Sequence, residues 1–195
     1  MPLLDHFGLL APYYDHWIST PSTEVWRRVL NLPVATLLLD VGGGTARVSG
    51  PLVDQVTAAV VVDSSAPMLE QALKRPGIFA IQAPAEQLPF ADDSFGRILM
   101  VDALHHVEDT TRCVGEMLRV LAPGGRLVIE EPDWRRTRMR LVALAEKLAM
   151  MRSHPERPDA IVRLARQAGA RARCFSPIRH TIWILVEKPE RPTSA

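Results

Sequence analysis

The sequence predicts an α/β protein: a seven-stranded sheet of five parallel strands and a C-terminal antiparallel hairpin, with helices on both faces. Three observations predict it. From residue 35 onward, short and continuously apolar runs alternate with segments of helical spacing, the pattern of a parallel sheet buried on both sides. The first run, Leu37-Leu38-Leu39, stops at Asp40 and passes through Gly42-Gly43-Gly44, which reads as a buried strand entering a tight turn. The last two runs are separated by only a few residues around Ser176-Pro177, so they must be antiparallel neighbours.

Taken in order, the chain opens with an aromatic-rich segment, residues 5–31, holding Phe7, Tyr13, Tyr14, Trp17 and Trp26. It reads either as a cover over a ligand edge or as helix packed on the sheet. Thr20-Pro21-Ser22-Thr23-Glu24 starts a helix with an early proline and a hydroxyl cap, and Pro33 closes it. Strands are expected at 36–39, 57–62, 78–81, 98–101 and 127–129, with helices at 46–55, 65–75 and 108–121. In the last of these, Cys113 and Met117 share a face with Val120 or Leu121, so Cys113 belongs in the core. Pro123-Gly124-Gly125 turns the chain into the fifth strand. After Pro132 come an arginine-rich stretch from Trp134 to Arg140 and an apolar helix to about Met151. A second helix near 156–168 ends at Gly169, a plausible C′ glycine, and the strands 171–175 and 180–187 follow.

Composition narrows the function classes. The 195 residues suit one domain with a sizeable core, and 47% apolar with 23% charged content is that of an ordinary globular protein. A net charge of +1 carries no electrostatic footprint for nucleic acid. No run approaches the roughly 18 apolar residues that span a bilayer, and the apolar start meets Asp5 and His6 at once, unlike a signal peptide. Cys113 and Cys174 stand apart with no metal spacing. They read as reduced, buried, structural thiols of a cytoplasmic protein, and no metal site is expected.

The chemistry concentrates at strand ends. A glycine turn after a strand lets backbone approach a ligand closely, although three glycines alone also fit a plain strand-to-helix turn. Asp63 ends the second strand, where the two oxygens of a carboxylate can take both hydroxyls of a ribose. The bland alternative is a helix cap, a part that Ser65 suits better. Dinucleotide sites use G-x-G-x-x-G, and here the last position of that pattern is Arg47, which cannot give the close packing of a glycine. The spacing G-x-G-x-G, with the small Ala46 last, fits better.

At this point the chain resembles the class I S-adenosylmethionine-dependent methyltransferases, and most closely the subgroup with the ubiquinone and menaquinone C-methyltransferases. The resemblance runs from residue 7 to about 131 in matching order. It rests on Phe7–Asp15, Leu39–Thr45, Val62–Ala72, Ala85–Phe95, Leu104–Val107 and Arg119–Gly125. It implies a Rossmann-like fold, S-adenosyl-L-methionine as cofactor and S-adenosyl-L-homocysteine as product. It further implies that Asp40 and the Gly42, Gly43 and Gly44 backbone form the methionine loop. Asp63 would hold the ribose, Ser64 and Met68 would flank the adenine, and the N–H of Ala85 would reach its edge. Backbone near Val101 would receive the methionine ammonium, and Tyr14 would close over the cofactor. The family divides such a chain into a helical cover (1–33), a cofactor-binding core (34–131), a short helical insertion (132–170) and the terminal hairpin (171–188). Pro84 departs from the pattern, standing where an aspartate usually meets the adenine amino group, so weaker binding is expected. Gly96-Arg97 replaces an acid after Phe95, outside the site.

The implied activity is methyl transfer to a small-molecule acceptor by in-line displacement, with orientation as the main contribution of the protein. A base is needed only for an acceptor that must lose a proton. Asp102, His105, His106, His6 and His16 are candidates, and Glu130 and Glu131 are acceptor-side groups. The arginines at 135–140 hint at an anionic acceptor, and a solvated helix face explains them equally well. The short insertion suits a modest acceptor or an open site, on a monomer or homodimer. A cofactor-binding protein without turnover is the competing class. A nicotinamide dehydrogenase lacks both its third glycine and a Tyr-x-x-x-Lys pair.

Overall fold

The computed structural model describes residues 22–133, 157–178 and 181–191. Its strands are β1 (Leu37–Val41), β2 (Ala58–Asp63), β3 (Ile78–Gln82), β4 (Phe95–Val101), β5 (Leu121–Pro132), β6 (Arg171–Phe175) and β7 (Thr181–Glu187). They form one sheet in the order β3-β2-β1-β4-β5-β7-β6. β1 to β5 run parallel, and β7 pairs antiparallel with both β5 and β6, as the sequence predicts. The helices are α1 (Thr23–Leu30), α2 (Ala66–Ala72), α3 (Thr110–Val120) and α4 (Pro158–Gln167).

Two apolar cores follow from the alternation of side chains along the strands. On one face, α1 brings Trp26 and Leu30 against Leu38, Leu99, Val128 and Trp183. The ring centroids of Trp26 and Trp183 lie 4.3 Å apart with the planes tilted by 32°, a contact that holds α1 against β7. On the other, α3 and α4 pack Met117, Val114 and Ile161 over Leu39, Ile98, Leu127 and Ile184. The carbonyls at the end of α1 are taken by Arg97, buried on β4, whose Nε donates to the Leu30 oxygen at 2.6 Å. Arg97 therefore anchors α1 by filling orphan helix acceptors. Asn31, the one asparagine of the chain, supplies the left-handed cap of that helix at φ 55°.

Three expectations need correction. The segment 46–55 is not an α-helix: it is a run of turns leading into a 3-10 helix at Gly50–Gln55. Pro51 removes an N–H and Ala46 sits at φ 58°, so a regular helix cannot propagate through the segment. Ser65 stands at the N-cap of α2 without a side-chain capping bond; Asp63 Oδ1 instead accepts from its backbone N–H at 2.8 Å. Cys113 is fully buried, and burial pushes its thiol up to about 12, but Cys174 is exposed, because it lies on the edge strand β6. The strands β4 and β5 are also longer than their apolar runs, because ladder pairing continues from Phe95 and through Pro132. The apolar helix expected before Met151 falls outside the described residues.

Candidate functional site

The strand order reverses between β1 and β4, and a crevice opens at the carboxyl ends of such neighbours. The glycine turn sits there. Gly42 and Gly44 adopt φ of 65° and 52°, left-handed values that glycine reaches without strain. A Cβ on Gly42 would stand 2.6 Å from that of Ala103, in the loop after β4. The turn and that loop are thus in direct apposition, and only glycine fits between them. Beneath Gly43 lies the Asp40 carboxylate, 1% exposed, with Oδ2 unpartnered. Burial pushes Asp40 up to about 7, against the opposing pull of Ser49 and Arg47.

Asp63 closes one side of the turn. Its Oδ2 accepts from the Gly44 N–H at 2.9 Å while Oδ1 accepts from the Ser65 N–H at 2.8 Å, so the carboxylate is fixed against the turn. Ser64 is exposed beside it and Met68 is buried, with Cε 3.7 Å from the place a Gly44 Cβ would occupy. Ala85 is half-buried in the loop after β3, next to the exposed Pro84. Glu86 reaches from that loop to accept from the Glu108 N–H at 3.0 Å, tying it to the approach to α3.

The other side of the crevice is built by β4 and β5. Val101 ends β4 opposite Glu130, and Asp102 follows at φ 50°, its N–H donating to the Glu130 carbonyl at 3.0 Å. Glu131 gathers Ala103, Leu104 and His105, the last through Nδ1 at 2.6 Å. The rings of His105 and His106 stand 4.0 Å apart. Adjacent residues of β5 point to opposite faces, so Glu130 lies toward Trp183 and Glu131 toward His105.

Arg47 is the residue that sequence reasoning missed at this site. It was read only as an argument against a dinucleotide, yet it is 8% exposed and paired with Asp102 at 3.5 Å. Its charge also lowers the carboxyls of Asp40 and Glu130. The available signal was a surplus of acids: Asp40, Asp63, Asp102, Glu130 and Glu131 all lie within two residues of the carboxyl end of a strand, and such a cluster needs a cation.

Glu130 is 3% exposed, and its Oε2 has no partner. Burial, then the nearby Asp102 charge, pushes it up from 4.5 to about 8. In the unfolded chain the proton leaves near 4.5, so between these values the folded state holds the extra proton. Stability then falls as pH rises through that window, by about 1.4 kcal/mol per unit. Glu130→Gln, neutral throughout, is expected to melt well above the wild type at pH 8 and close to it at pH 4. A melting-temperature difference that stays constant across that range would contradict the assignment.

Of the expected site residues, the structure gathers Asp40, Gly42, Gly43, Gly44, Asp63 and Met68 at the ends of β1 and β2 and Val101, Asp102 and Glu130 at the ends of β4 and β5, while Ser64 follows β2 and Ala85 lies in the loop after β3. Tyr14, His6, His16 and the arginines at 135–140 lie outside the described residues.

A family model described as a methyltransferase domain matches residues 39–129. The chain is 36% identical over 178 residues to a demethylmenaquinone methyltransferase of Paenarthrobacter aurescens, covering 82% of this chain and 68% of that protein. It is 34% identical over 142 residues to the ubiquinone/menaquinone biosynthesis C-methyltransferase UbiE of Geotalea daltonii, covering 64% and 60%. Relatives of the first kind from Renibacterium salmoninarum and Beutenbergia cavernae are matched over 56% and 52% of their length, so the chain spans only about half of these. Among solved structures, the YcgJ protein of Bacillus subtilis superposes with a TM-score of 0.74 at 16% identity, over 87% of this chain and 98% of that one. A SAM-dependent methyltransferase of Aquifex aeolicus gives 0.69 at 15% identity, over 90% and 97%.

Proposed function

Because the chain belongs to the class I S-adenosylmethionine-dependent methyltransferases of the ubiquinone and menaquinone type, we propose that it methylates a small-molecule acceptor in the cytoplasm by in-line displacement. The observation that carries this reading is the unpartnered, buried Asp40 oxygen beneath a left-handed glycine turn, with the fixed Asp63 carboxylate beside it. An orphaned buried acceptor is costly unless a ligand donor or water serves it. Acids outnumber Arg47 at these strand ends even with Glu130 protonated, a balance that suits a ligand with an ammonium and a sulfonium and opposes the two phosphates of a dinucleotide.

In this reading the chain divides into cover, core, insertion and hairpin as the family pattern implies. Gly42 to Gly44 line the methionine end, and Val101 offers backbone to its ammonium. Asp63 takes the ribose hydroxyls, Ser64 and Met68 bracket the adenine, and Ala85 meets its edge. Pro84 withholds the usual carboxylate partner from the adenine amino group and weakens binding without abolishing it.

S-adenosylmethionine supplies a methyl group on a sulfonium that is already a good leaving group. What remains for the protein is alignment and exclusion of water, worth several orders of magnitude in rate. Among the candidate bases, Glu130 is in its acid form at neutral pH and is suited to donating a hydrogen bond. Asp102 is committed to Arg47. His105 and His106 are left as the groups able to accept a proton from an acceptor. The names of the relatives make reduced quinone rings the first acceptor class to assay.

The experiment is incubation with S-adenosylmethionine and a panel of acceptors led by reduced demethylated quinone analogues, read as S-adenosylhomocysteine formed. Acceptor-dependent product is expected. Saturable binding with no product from any acceptor would favour the competing reading, a cofactor-binding protein without turnover.

A further inference from the structure

The ladder between β4 and β5 ends at Val101 and Glu130, and the N–H of Asp102 makes the last backbone bond across it. Beyond that point, the backbone N–H groups of Ala103 and Leu104 are taken by one side chain, Glu131. Its Oε1 accepts from them at 3.1 and 2.8 Å. Its Oε2 meets His105 Nδ1 at 2.6 Å, and the carboxylate is only 12% exposed. A single side chain thus gathers three donors from three consecutive residues. The segment it gathers follows Asp102, which is held in the left-handed region, a conformation that a non-glycine residue keeps only where surrounding bonds impose it. The same segment carries Ala103, whose Cβ leaves no room for a side chain on Gly42.

We propose that Glu131 is a positioning residue: it fixes the loop 102–105 against the glycine turn, and so sets the width of the crevice at the methionine end. The inference rests on the methyltransferase reading above, and extends it to a residue on the neighbouring strand. Glu131 also holds the His105 ring in place, through the 2.6 Å contact between its Oε2 and Nδ1.

The replacement Glu131→Gln separates these roles from bulk stability. Its amide oxygen can still receive Ala103 and Leu104, and its NH₂ can donate to Nδ1 when that nitrogen carries no proton. Glu131→Ala removes all three bonds. Affinity for S-adenosylhomocysteine is measured by calorimetry, with folding followed by near-ultraviolet circular dichroism. Val128→Ala serves as the control, a buried core truncation away from the loop. The expected result is at least tenfold weaker binding for Glu131→Ala, with Glu131→Gln and Val128→Ala within threefold of the wild type. Wild-type affinity in Glu131→Ala, or equal weakening in Val128→Ala, would overturn the proposal. If Glu131→Ala does not fold, Glu131→Asp takes its place, since it withdraws the carboxylate by one methylene. It must then bind at least fivefold more weakly, and wild-type affinity overturns the proposal. Failure of the wild type itself to bind strikes the cofactor reading, and removes the inference with it.

Discussion

Asp63→Ala is expected to weaken S-adenosylmethionine binding at least about tenfold, and up to about a hundredfold, in a calorimetric titration. The carboxylate sits at the end of β2 with one oxygen on the Gly44 N–H and the other on Ser65. Under the proposed assignment the same carboxylate takes the ribose hydroxyls. Losing hydrogen bonds to a charged group costs about 1.5–3 kcal/mol, which is the stated range of affinity. The alanine variant also leaves the Gly44 N–H without its acceptor, so the glycine turn loosens as well. Asp63→Asn keeps an oxygen for that N–H and should lose less. Unchanged affinity in the alanine variant would remove Asp63 from the site.

Gly42→Ala is expected to act through geometry alone. The residue holds φ 65°, a region costing an L-residue about 1–2 kcal/mol, and its new methyl would lie 2.6 Å from Ala103 Cβ. Either the turn or the loop after β4 must move, so a stability loss of about 2–3 kcal/mol is expected. The displaced backbone is the part proposed to face the methionine, and binding should fall by more than tenfold. Thermal melting with and without S-adenosylhomocysteine measures both effects. Gly115→Ala, on the exposed face of α3 with nothing within 4 Å of its Cβ, should be neutral or stabilising in the same assay. A Gly42 variant as stable and as responsive to ligand as the wild type would contradict the apposition of turn and loop.

The sheet was legible because its central strands are buried on both faces, which writes them as continuous apolar runs, and because two closely spaced final strands can only be antiparallel. The segment 46–55 was misread for a physical reason as well. Its composition allows a helix, but Pro51 and the left-handed Ala46 decide the backbone locally, and periodicity does not register them. Cys174 was placed in the core because cysteine is usually buried, whereas β6 is an edge strand and turns it outward.

The candidate site was legible wherever a residue lies close to the carboxyl end of a strand, as Asp40, Asp63, Asp102 and Glu130 do. Pairing was not. The union of Arg47 with Asp102, 55 residues apart, and of Glu131 with His105, 26 apart, depends on which strands are neighbours. The raised carboxyls of Asp40 and Glu130 follow from burial, which a sequence states only indirectly. The cofactor motif could be read one residue at a time; the charge balance that supports it needed the fold.

The central claim is that the crevice between β1 and β4 holds S-adenosylmethionine. Its most direct test is a calorimetric titration of the wild-type protein with S-adenosylhomocysteine. The account predicts saturable binding at one site per chain, displaced by S-adenosylmethionine and indifferent to nicotinamide dinucleotides. No saturable heat, or binding that a nicotinamide dinucleotide displaces, would contradict it.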